Sequence, residues 1–253
     1  MKNTIKNSFQ ELQRKYYNEI ADQYDRHYHN QYSIIYRKRL YDKILKNIKL
    51  KKSIILDAMC GGGENTAYFL SKKSIVHGVD IPDEQCVIYA RHYPQCKIIR
   101  ASILDTKLPK NTYDLIVVES LHHLHPSLAE GINEIISLLK PGGYLLIWEP
   151  YAWSLLDLFR KIWYRLDRKF FLDNEKSISL KQVEKASNDS LVIKRKYFGG
   201  NFAFFFVFSS MHFRINPNSI SKYASFLIAL EDIVNLIQPR FLSAWVLALY
   251  RKK

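Results

Sequence analysis

The sequence predicts an α/β fold in which a doubly wound, mostly parallel sheet is covered by helices on both faces. Two observations support this prediction: short apolar runs alternate with amphipathic segments as far as residue 150, and polar residues follow the ends of the apolar runs. Alternating apolar strands and helices are typical of parallel sheets that are buried on both faces. Because ligands of such sheets bind beyond the carboxyl ends of the strands, the polar residues there predict a binding cleft.

The individual elements are predicted from apolar periodicity and turn residues. The predicted helices span residues 4–30, 32–47, 65–70, 83–92, 128–139, 151–171, 179–188 and 217–239. The predicted strands begin with an apolar run at residue 54 and continue with residues 74–79, 97–100, 113–119, 144–149, 191–198 and 241–249. Residues 202–208 are predicted as a further strand or a buried element, and Pro141, Gly142 and Gly143 are predicted to end a helix and turn the chain.

Three consecutive glycines, Gly61, Gly62 and Gly63, connect the first predicted strand to a helix. Backbone N–H groups can approach a ligand closely at such a turn, since no Cβ atom is in the way, and this predicts a nucleotide-cofactor site. A tight strand-to-helix connection without a ligand is the alternative. Asp80, at the end of the second strand, has the spacing of an acid that binds ribose hydroxyls, although it could instead cap the next helix.

Polar residues at the ends of the predicted strands are expected to converge on one cleft. They are Asp57, Asp80, Ser102, Glu119, His122, His123 and Glu149. Imidazole titrates near neutral pH, so His122 or His123 could act as a general base. The alternative is that these histidines pack under the sheet, bond to backbone or cap a helix. No metal site is expected, because the clustered histidines lack Cys or carboxylate partners at ligand spacing.

Residues 53–149 resemble class I S-adenosylmethionine-dependent methyltransferases, of the group that includes the ubiquinone and menaquinone methyltransferases. The residues that match the first motif of the family are Asp57, Cys60, Gly61 and Gly63. Met59 stands where a further glycine is common, and Asp80 matches the ribose-binding acid. Residues 101–114 align with the adenine loop, but Ser102 replaces the usual Asp, whose contact could be supplied by Asp105.

The resemblance implies a Rossmann-like sheet of seven strands with an antiparallel last strand, and S-adenosyl-L-methionine as the cofactor. It implies cofactor-binding roles for Tyr24, Asp57, Met59, Gly61, Gly63, Asp80, Ile81, Ser102, Ile103 and Glu119. We predict an N-terminal helical cap over residues 1–50, a cofactor-binding core over 51–150, and a helical, aromatic lid with the late strands over 151–253. The last part completes the same domain.

This sequence lacks the residues that characterise other functions of similar folds. A dehydrogenase would have a third glycine where Thr66 stands, and a P-loop would have Lys followed by Ser or Thr after the glycines. A base-directed amino-methyltransferase would have Pro-Pro and an aromatic residue after the fourth strand.

Substrate choice is predicted to depend on the region after residue 149, where Glu149, Tyr151 and Trp153 are expected to contact the substrate. The predicted helix 151–171 combines aromatic and basic residues, so it could form a lid or lie on an anionic membrane surface. Its aromatic residues, together with those of 202–208, favour an apolar or ring-containing acceptor, although they could instead form a dimer contact.

We therefore expect methyl transfer to an oxygen or carbon atom of a small hydrophobic or lipid-linked acceptor. The formal net charge of +14 keeps an RNA- or tRNA-directed methyltransferase as an alternative, although it could equally reflect a lysine-rich solvated surface. The third alternative is a non-catalytic relative of these enzymes that binds the cofactor. The three cysteines, the lack of an apolar signal core and the lack of a membrane-length apolar run predict a cytoplasmic protein, which could also contact the inner membrane surface.

Overall fold

A central seven-stranded sheet organises the chain in the computed structural model, which describes residues 2–119, 121–166 and 177–253. The strands are β1 (Ile54–Ala58), β2 (Ile75–Asp80), β3 (Lys97–Arg100), β4 (Tyr113–Val118), β5 (Leu139–Pro150), β6 (Leu191–Gly199) and β7 (Trp245–Lys252). Their order in the sheet is β3-β2-β1-β4-β5-β7-β6. Strands β1 to β5 pair in parallel, and β7 runs antiparallel to both of its neighbours. The predicted fold class, including the antiparallel last strand, is confirmed.

The helices cover both faces of this sheet. They are α1 (Lys2–Glu19), α2 (Ala21–Tyr28), α3 (Gln31–Ile44), α4 (Thr66–Ser71), α5 (Asp83–His92), α6 (Leu128–Leu138), α7 (Leu155–Leu166), α8 (Leu180–Ala186), α9 (Pro217–Ile220) and α10 (Ala224–Ile237). One core cluster packs residues of α3, α4 and α10 on one face, and a second packs α6 and α8 on the other. Since β1 and β4 are adjacent and the connections leave them in opposite directions, the cleft of a doubly wound sheet is expected beyond their carboxyl ends.

The run Phe202–Phe208 does not form a strand. Phe204–Phe208 is a π-helical turn, and its first N–H groups are satisfied by the buried carboxylate of Glu231 on α10. Glu231 Oε2 accepts hydrogen bonds from Asn201 N at 2.9 Å and from Phe204 N at 2.8 Å. The helical form is therefore stabilised by a tertiary contact that the local sequence does not contain.

The predicted turn at residues 140–143 is part of β5. Tyr113 is paired with Leu139 but Leu115 with Tyr144, so the intervening residues of β5 bulge out of register with β4. Gly142 has a φ of +74°, which an L side chain rarely adopts. The glycine thus serves a bulge within the strand rather than a turn before it.

One prediction falls partly on residues that are not described. The helix predicted over 151–171 is present as Leu155–Leu166, and its part after residue 166 lies outside the described residues. Ser120, which connects β4 to the histidines, is also outside them.

Candidate active site

Two cavities meet at the carboxyl ends of the central strands. The first, the loop cavity, has about 1050 Å³ counted to its open mouth and is lined by the segments that follow β1 to β4 and by α1. The second, the aromatic cavity, has about 1430 Å³ and is lined mainly by residues of α7, the π-helical turn and the ends of β5 and β7. The residues that line both are Tyr17, Tyr24, Glu119 and His123. The two cavities therefore adjoin at these four side chains.

Asp80 holds the glycine turn against the end of β2. Its carboxylate accepts hydrogen bonds from Gly61 N and from Ile81 N, both at 2.7 Å. Burial raises the pKa of Asp80, and these two backbone donors oppose the rise. A carboxylate offers about four acceptor positions, so Asp80 keeps capacity for hydroxyl groups of a ligand in the loop cavity.

Residues of the turn have different tasks. Gly61 and Met59 line the loop cavity, and Met59 has a φ of +55°, a conformation that glycine would adopt without strain. Gly63 does not line the loop cavity but packs against Tyr93, since a Cβ atom at Gly63 would lie 2.5 Å from that ring. Asp57 is fully buried beneath the turn and accepts a hydrogen bond from Thr66 Oγ1 at 2.8 Å. Gly63 and Asp57 thus shape the turn from behind.

Glu64 and Gln85 line the loop cavity with polar atoms that lack hydrogen-bond partners among the described residues. Their side chains are almost fully buried, with 6% and 2% of their surface exposed. The unpartnered atoms are Glu64 Oε1, Gln85 Nε2 and Gln85 Oε1. Burial raises the pKa of Glu64 to about 7, although the positive charge of Arg37 opposes this. Since buried polar atoms are nearly always paired, these indicate a polar ligand.

Helix α1 lies across the loop cavity and is bonded to both of its sides. Gln10 Nε2 donates to Ser102 Oγ at 2.6 Å, and Gln13 Nε2 donates to the carbonyl of His123 at 3.0 Å. Tyr17 Oη lies 3.2 Å from His123 Nε2. These bonds connect α1 to the loop after β3 and to the segment after β4.

Glu119, at the end of β4, lies at the boundary of the two cavities. It accepts hydrogen bonds from Arg37 at 3.2 Å and from Tyr41 Oη at 2.6 Å. The Tyr41 hydroxyl also lies 2.7 Å from Asn65 Oδ1, and Asn65 Nδ2 donates to Asp57 at 3.2 Å. Polar contacts therefore run from Asp57, beneath the glycine turn, to the cavity boundary.

The aromatic cavity is enclosed mainly by rings. The rings that line it include Trp148, Phe159, Trp163, Phe205, Phe208 and Trp245. Within the described part of the chain, Arg37 and Arg160 line it, and each is paired with a carboxylate: Arg37 with Glu119, and Arg160 with the buried Asp157 at 3.0 Å. The lining is thus apolar, with its positive charges neutralised.

Glu149 and His122 form a polar pair in the wall of the aromatic cavity. Glu149 Oε2 lies 2.7 Å from His122 Nδ1, and Glu149 Oε1 accepts a hydrogen bond from Leu121 N at 2.6 Å. Burial raises the pKa of Glu149 to about 8, and the backbone donor of Leu121 opposes the rise. Because Glu149 binds Nδ1, proton exchange between His122 and a ligand would use Nε2.

Residues 55–143 match the family described as "Methyltransferase domain". This is a class I methyltransferase domain. The chain is 25% identical, over 126 residues, to an uncharacterized methyltransferase of Synechocystis, covering 49% of this chain and 56% of that protein. It is 21% identical, over 111 residues, to phthiotriol/phenolphthiotriol dimycocerosates methyltransferase 1 of Mycobacterium ulcerans, covering 42% and 41% of the two chains. It spans about half the length of the curated relatives it matches.

The fold of this methyltransferase domain has solved counterparts. The N-methyltransferase NodS of Bradyrhizobium japonicum, solved with S-adenosyl-L-homocysteine, superposes with a TM-score of 0.55 at 13% identity and covers 88% of each chain. At this identity the likeness shows the fold alone. The cofactor of the domain family is S-adenosyl-L-methionine, as predicted, whereas the ubiquinone-like subgroup stays a prediction.

The loop cavity of the methyltransferase domain fits this cofactor. Asp80 would hold the ribose hydroxyls, while the unpartnered atoms of Glu64 and Gln85 supply polar contacts that such a ligand needs. Ile81 and Ile103 give the same cavity apolar surface suited to a base. Ser102 lines it too, whereas Asp105 is exposed, pairs with Lys107 at 2.8 Å and does not line it. The structure thus does not support Asp105 as a substitute for the missing adenine contact.

The predicted substrate residues of the methyltransferase domain are only partly brought together. Glu149 lines the aromatic cavity, but Tyr151 packs against the ring of Phe198 and Trp153 is 72% exposed, and neither lines a cavity. The chain turns at this point, since Tyr151 N donates to the carbonyl of Ala244 and Ser154 N to that of Tyr151. Tyr151 and Trp153 as substrate residues therefore stay a prediction.

Several residues of the site were not predicted from the sequence. Glu64 directly follows the glycines, so its position in the motif could have indicated a role. Gln10, Gln13 and Gln85 carry no such signal, because their place in the loop cavity depends on contacts between distant segments.

Proposed function

We propose that this chain transfers the methyl group of S-adenosylmethionine to a small hydrophobic or lipid-linked acceptor, with release of S-adenosylhomocysteine. The observation that carries the proposal is the junction of the two cavities at Tyr17, Tyr24, Glu119 and His123. A cofactor in the loop cavity and an acceptor in the aromatic cavity would meet there. Holding two reactants in line at about 3 Å supplies much of the acceleration of such a transfer.

The residues around the loop cavity would bind and orient the cofactor. When bound, it supplies a methyl group on a positively charged sulfur, which is already activated for transfer. Asp80 would hold the ribose, and Tyr17 and Tyr24 would shield the junction from water, as both line the two cavities. Excluding water strengthens the electrostatic contacts of the reacting groups.

For a hydroxyl acceptor, His122 would act as the general base. When the acceptor oxygen takes the methyl group that the cofactor would supply, His122 Nε2 would receive the O–H proton. Glu149 would fix the imidazole through Nδ1 and stabilise the imidazolium that forms. A carbon acceptor would lose its proton by the same route.

The lining of the aromatic cavity supports an apolar acceptor over RNA. An RNA site would present unpaired cations to phosphates, but Arg37 and Arg160 are each bound to a carboxylate. The name of the Mycobacterium ulcerans relative indicates a lipid substrate, and this supports a lipid-linked acceptor here.

We also propose that an exposed apolar surface beside the aromatic cavity contacts an anionic membrane. This apolar rim consists of Leu155, Leu158, Ile162, Phe226, Ile233, Leu236, Ile237 and Phe241, all largely exposed. Helix α7 packs against the 3-10 turn Arg240–Leu242, so the two parts of the rim adjoin. None of the helices in the described ranges is long and apolar enough to cross a bilayer. A basic chain with an exposed apolar rim suits peripheral binding to anionic lipid.

Transfer of labelled methyl groups to lipid, quinone, sugar and tRNA fractions tests the proposed reaction. We expect label in an extractable apolar fraction and no label in tRNA. Label in tRNA would favour the RNA-directed alternative. Cofactor binding without transfer to any fraction would favour a non-catalytic relative.

Co-sedimentation with vesicles tests the membrane contact separately. Vesicles that contain phosphatidylglycerol should bind the wild type, and neutral phosphatidylcholine vesicles should not. The double variant L236S/I237S should lose this binding, whereas Ile75→Ser, a half-exposed apolar residue at the start of β2, should retain it. If the double variant instead converts a dimer to a monomer without changing vesicle binding, the apolar rim is a dimer contact.

A further inference from the structure

Three potential metal ligands lie together behind the glycine turn. Asp25 is on α2, His29 directly follows α2, and His92 is the last residue of α5. Each of the three offers one ligand atom, and these atoms all lie within 4.8 Å of one another. None of the three lines either cavity, so they form a cluster separate from the proposed reaction.

The cluster includes a buried ring nitrogen without a hydrogen bond to any of the described residues. His92 Nε2 lies 2.9 Å from Asp25 Oδ1, but His29 Nδ1 lies 3.9 Å from the same oxygen and is buried without a partner among the described residues. His29 Nε2 lies 3.1 Å from Tyr93 Oη. If Nε2–H donates to Tyr93, the lone pair of Nδ1 faces a carboxylate. This repulsion is relieved by a cation between them.

The cluster has the ligand types and the spacing of a metal site. The rings of His29 and His92 stack in parallel with centroids 4.0 Å apart, however, so one ring would rotate to direct its lone pair at a shared ion. A ligating histidine almost always bonds through its second ring nitrogen to a neighbouring group, as His29 does with Tyr93. Zn²⁺ binds imidazole nitrogen and carboxylate oxygen at about 2.0–2.2 Å, which places tetrahedral ligand atoms roughly 3.3–3.5 Å apart. The distances of 2.9 and 3.9 Å from Asp25 Oδ1 to the two nitrogens bracket this separation.

We infer that Asp25, His29 and His92 bind a divalent transition metal of the Zn²⁺ type. Two imidazoles and one carboxylate provide three ligands, and the partial exposure of Asp25 and His92 leaves room for water as the fourth. No metal site is expected from the sequence, and the proposed site departs from that expectation because the fold brings Asp25, His29 and His92 together from separate segments.

The metal would connect the N-terminal helices to the core. Asp25 Oδ1 lies 3.2 Å from the place of a Cβ atom at Gly62, and Tyr24, the neighbour of Asp25, lines both cavities. Binding would therefore fix α2 to α5 and hold Tyr24 at the cavity junction. The role is structural, because the three ligands contact neither cavity.

Calorimetric titration with Zn²⁺ alone tests the site, on the chain of residues 1–253 without a polyhistidine tag and after removal of metals by chelator. We expect one site per chain and at least a tenfold weaker affinity in His92→Ala. The matched control is His77→Ala, a partly buried histidine on β2 that contacts Tyr113 and lies outside the cluster. Equal affinity of wild type and His92→Ala, or an equal loss in His77→Ala, would overturn the proposal.

Co²⁺ absorption gives a second measurement that does not depend on the methyltransferase reaction. The d–d bands of bound Co²⁺ should appear in the wild type and in His77→Ala, and should be absent in Asp25→Ala. Circular dichroism of each metal-free variant separates loss of the site from loss of folding. Bands that persist unchanged in a folded Asp25→Ala variant would exclude this cluster as the ligand set.

Discussion

The loop cavity and the aromatic cavity adjoin, but they are built in different ways. The loop cavity takes its polar groups from the ends of neighbouring parallel strands, where backbone N–H groups and a few carboxylates are fixed by the sheet. The aromatic cavity takes its rings from segments scattered between residues 148 and 245. The polar groups of the loop cavity therefore follow from the fold, whereas the rings of the aromatic cavity are particular to this chain. Substitutions should therefore separate cofactor affinity from catalysis and acceptor affinity.

The largest effect is expected at the polar pair in the aromatic cavity. Glu149→Gln keeps the shape of the side chain but removes the carboxyl group that would hold His122 Nδ1 and balance an imidazolium charge, so kcat should fall by about 10²–10⁴-fold. The affinity for S-adenosylhomocysteine, measured by calorimetry, should stay unchanged because Glu149 does not line the loop cavity. A fall in that affinity with kcat preserved would contradict the assigned role.

A smaller effect is expected for the carboxylate of the loop cavity. Asp80→Ala would remove the two charge-assisted hydrogen bonds that we propose to ribose, each worth about 1.5–3 kcal/mol, so affinity for S-adenosylhomocysteine should fall by roughly 10²-fold or more. Asp105→Ala, an exposed acid on a neighbouring loop, is the control and should bind normally. Equal affinities of the two variants would mean that the loop cavity does not bind the nucleoside.

Two neighbouring phenylalanines provide a matched pair of substitutions for testing the aromatic cavity. Phe205 lines the cavity, whereas its neighbour Phe206 does not. Phe205→Ala should raise the KM of the acceptor about tenfold, since burying a phenyl ring contributes about 1.5–3 kcal/mol. Phe206→Ala should leave KM within about twofold, and cofactor affinity should be the same in both. If Phe206→Ala raises KM as much, the acceptor lies on the outer surface instead.

The smallest effect is expected on the pH dependence of the free energy of unfolding. The pKa of Glu64 is raised to about 7 in the folded state, against about 4.5 for an ordinary Glu, so between these values the folded state binds more protons than the unfolded state. The free energy of unfolding should therefore fall as pH rises through this window. Glu64→Gln should show a shallower fall in urea unfolding between pH 5 and 8. An equal or steeper fall would mean that Glu64 is ionised throughout.

The sequence predicts those parts that depend on local pattern. Strand β3 (Lys97–Arg100) and helix α5 (Asp83–His92) have the bounds expected from apolar periodicity, and the end of β2 places Asp80 at the loop cavity. Such elements are predictable because the sheet repeats the same local rule at each strand end.

The parts that were missed depend on contacts between distant residues. The π-helical turn at Phe204 needs the carboxylate of Glu231, and Ser102 is engaged by Gln10, 92 positions earlier in the chain. Tyr151 and Trp153 were assigned to the substrate because they follow β5, but the chain turns after Pro150 and neither of them lines a cavity. None of these outcomes follows from the periodicity of the segment concerned.

The Tyr41 hydroxyl has one proton and two acceptors, Glu119 Oε1 at 2.6 Å and Asn65 Oδ1 at 2.7 Å, so it donates to one of them at a time. Glu119 and Asn65 therefore compete for one phenol proton. If a ligand in either cavity favoured one of these two acceptors, the affinity of the other cavity for its own ligand would change, and thermodynamic reciprocity would require an effect of equal size in both directions.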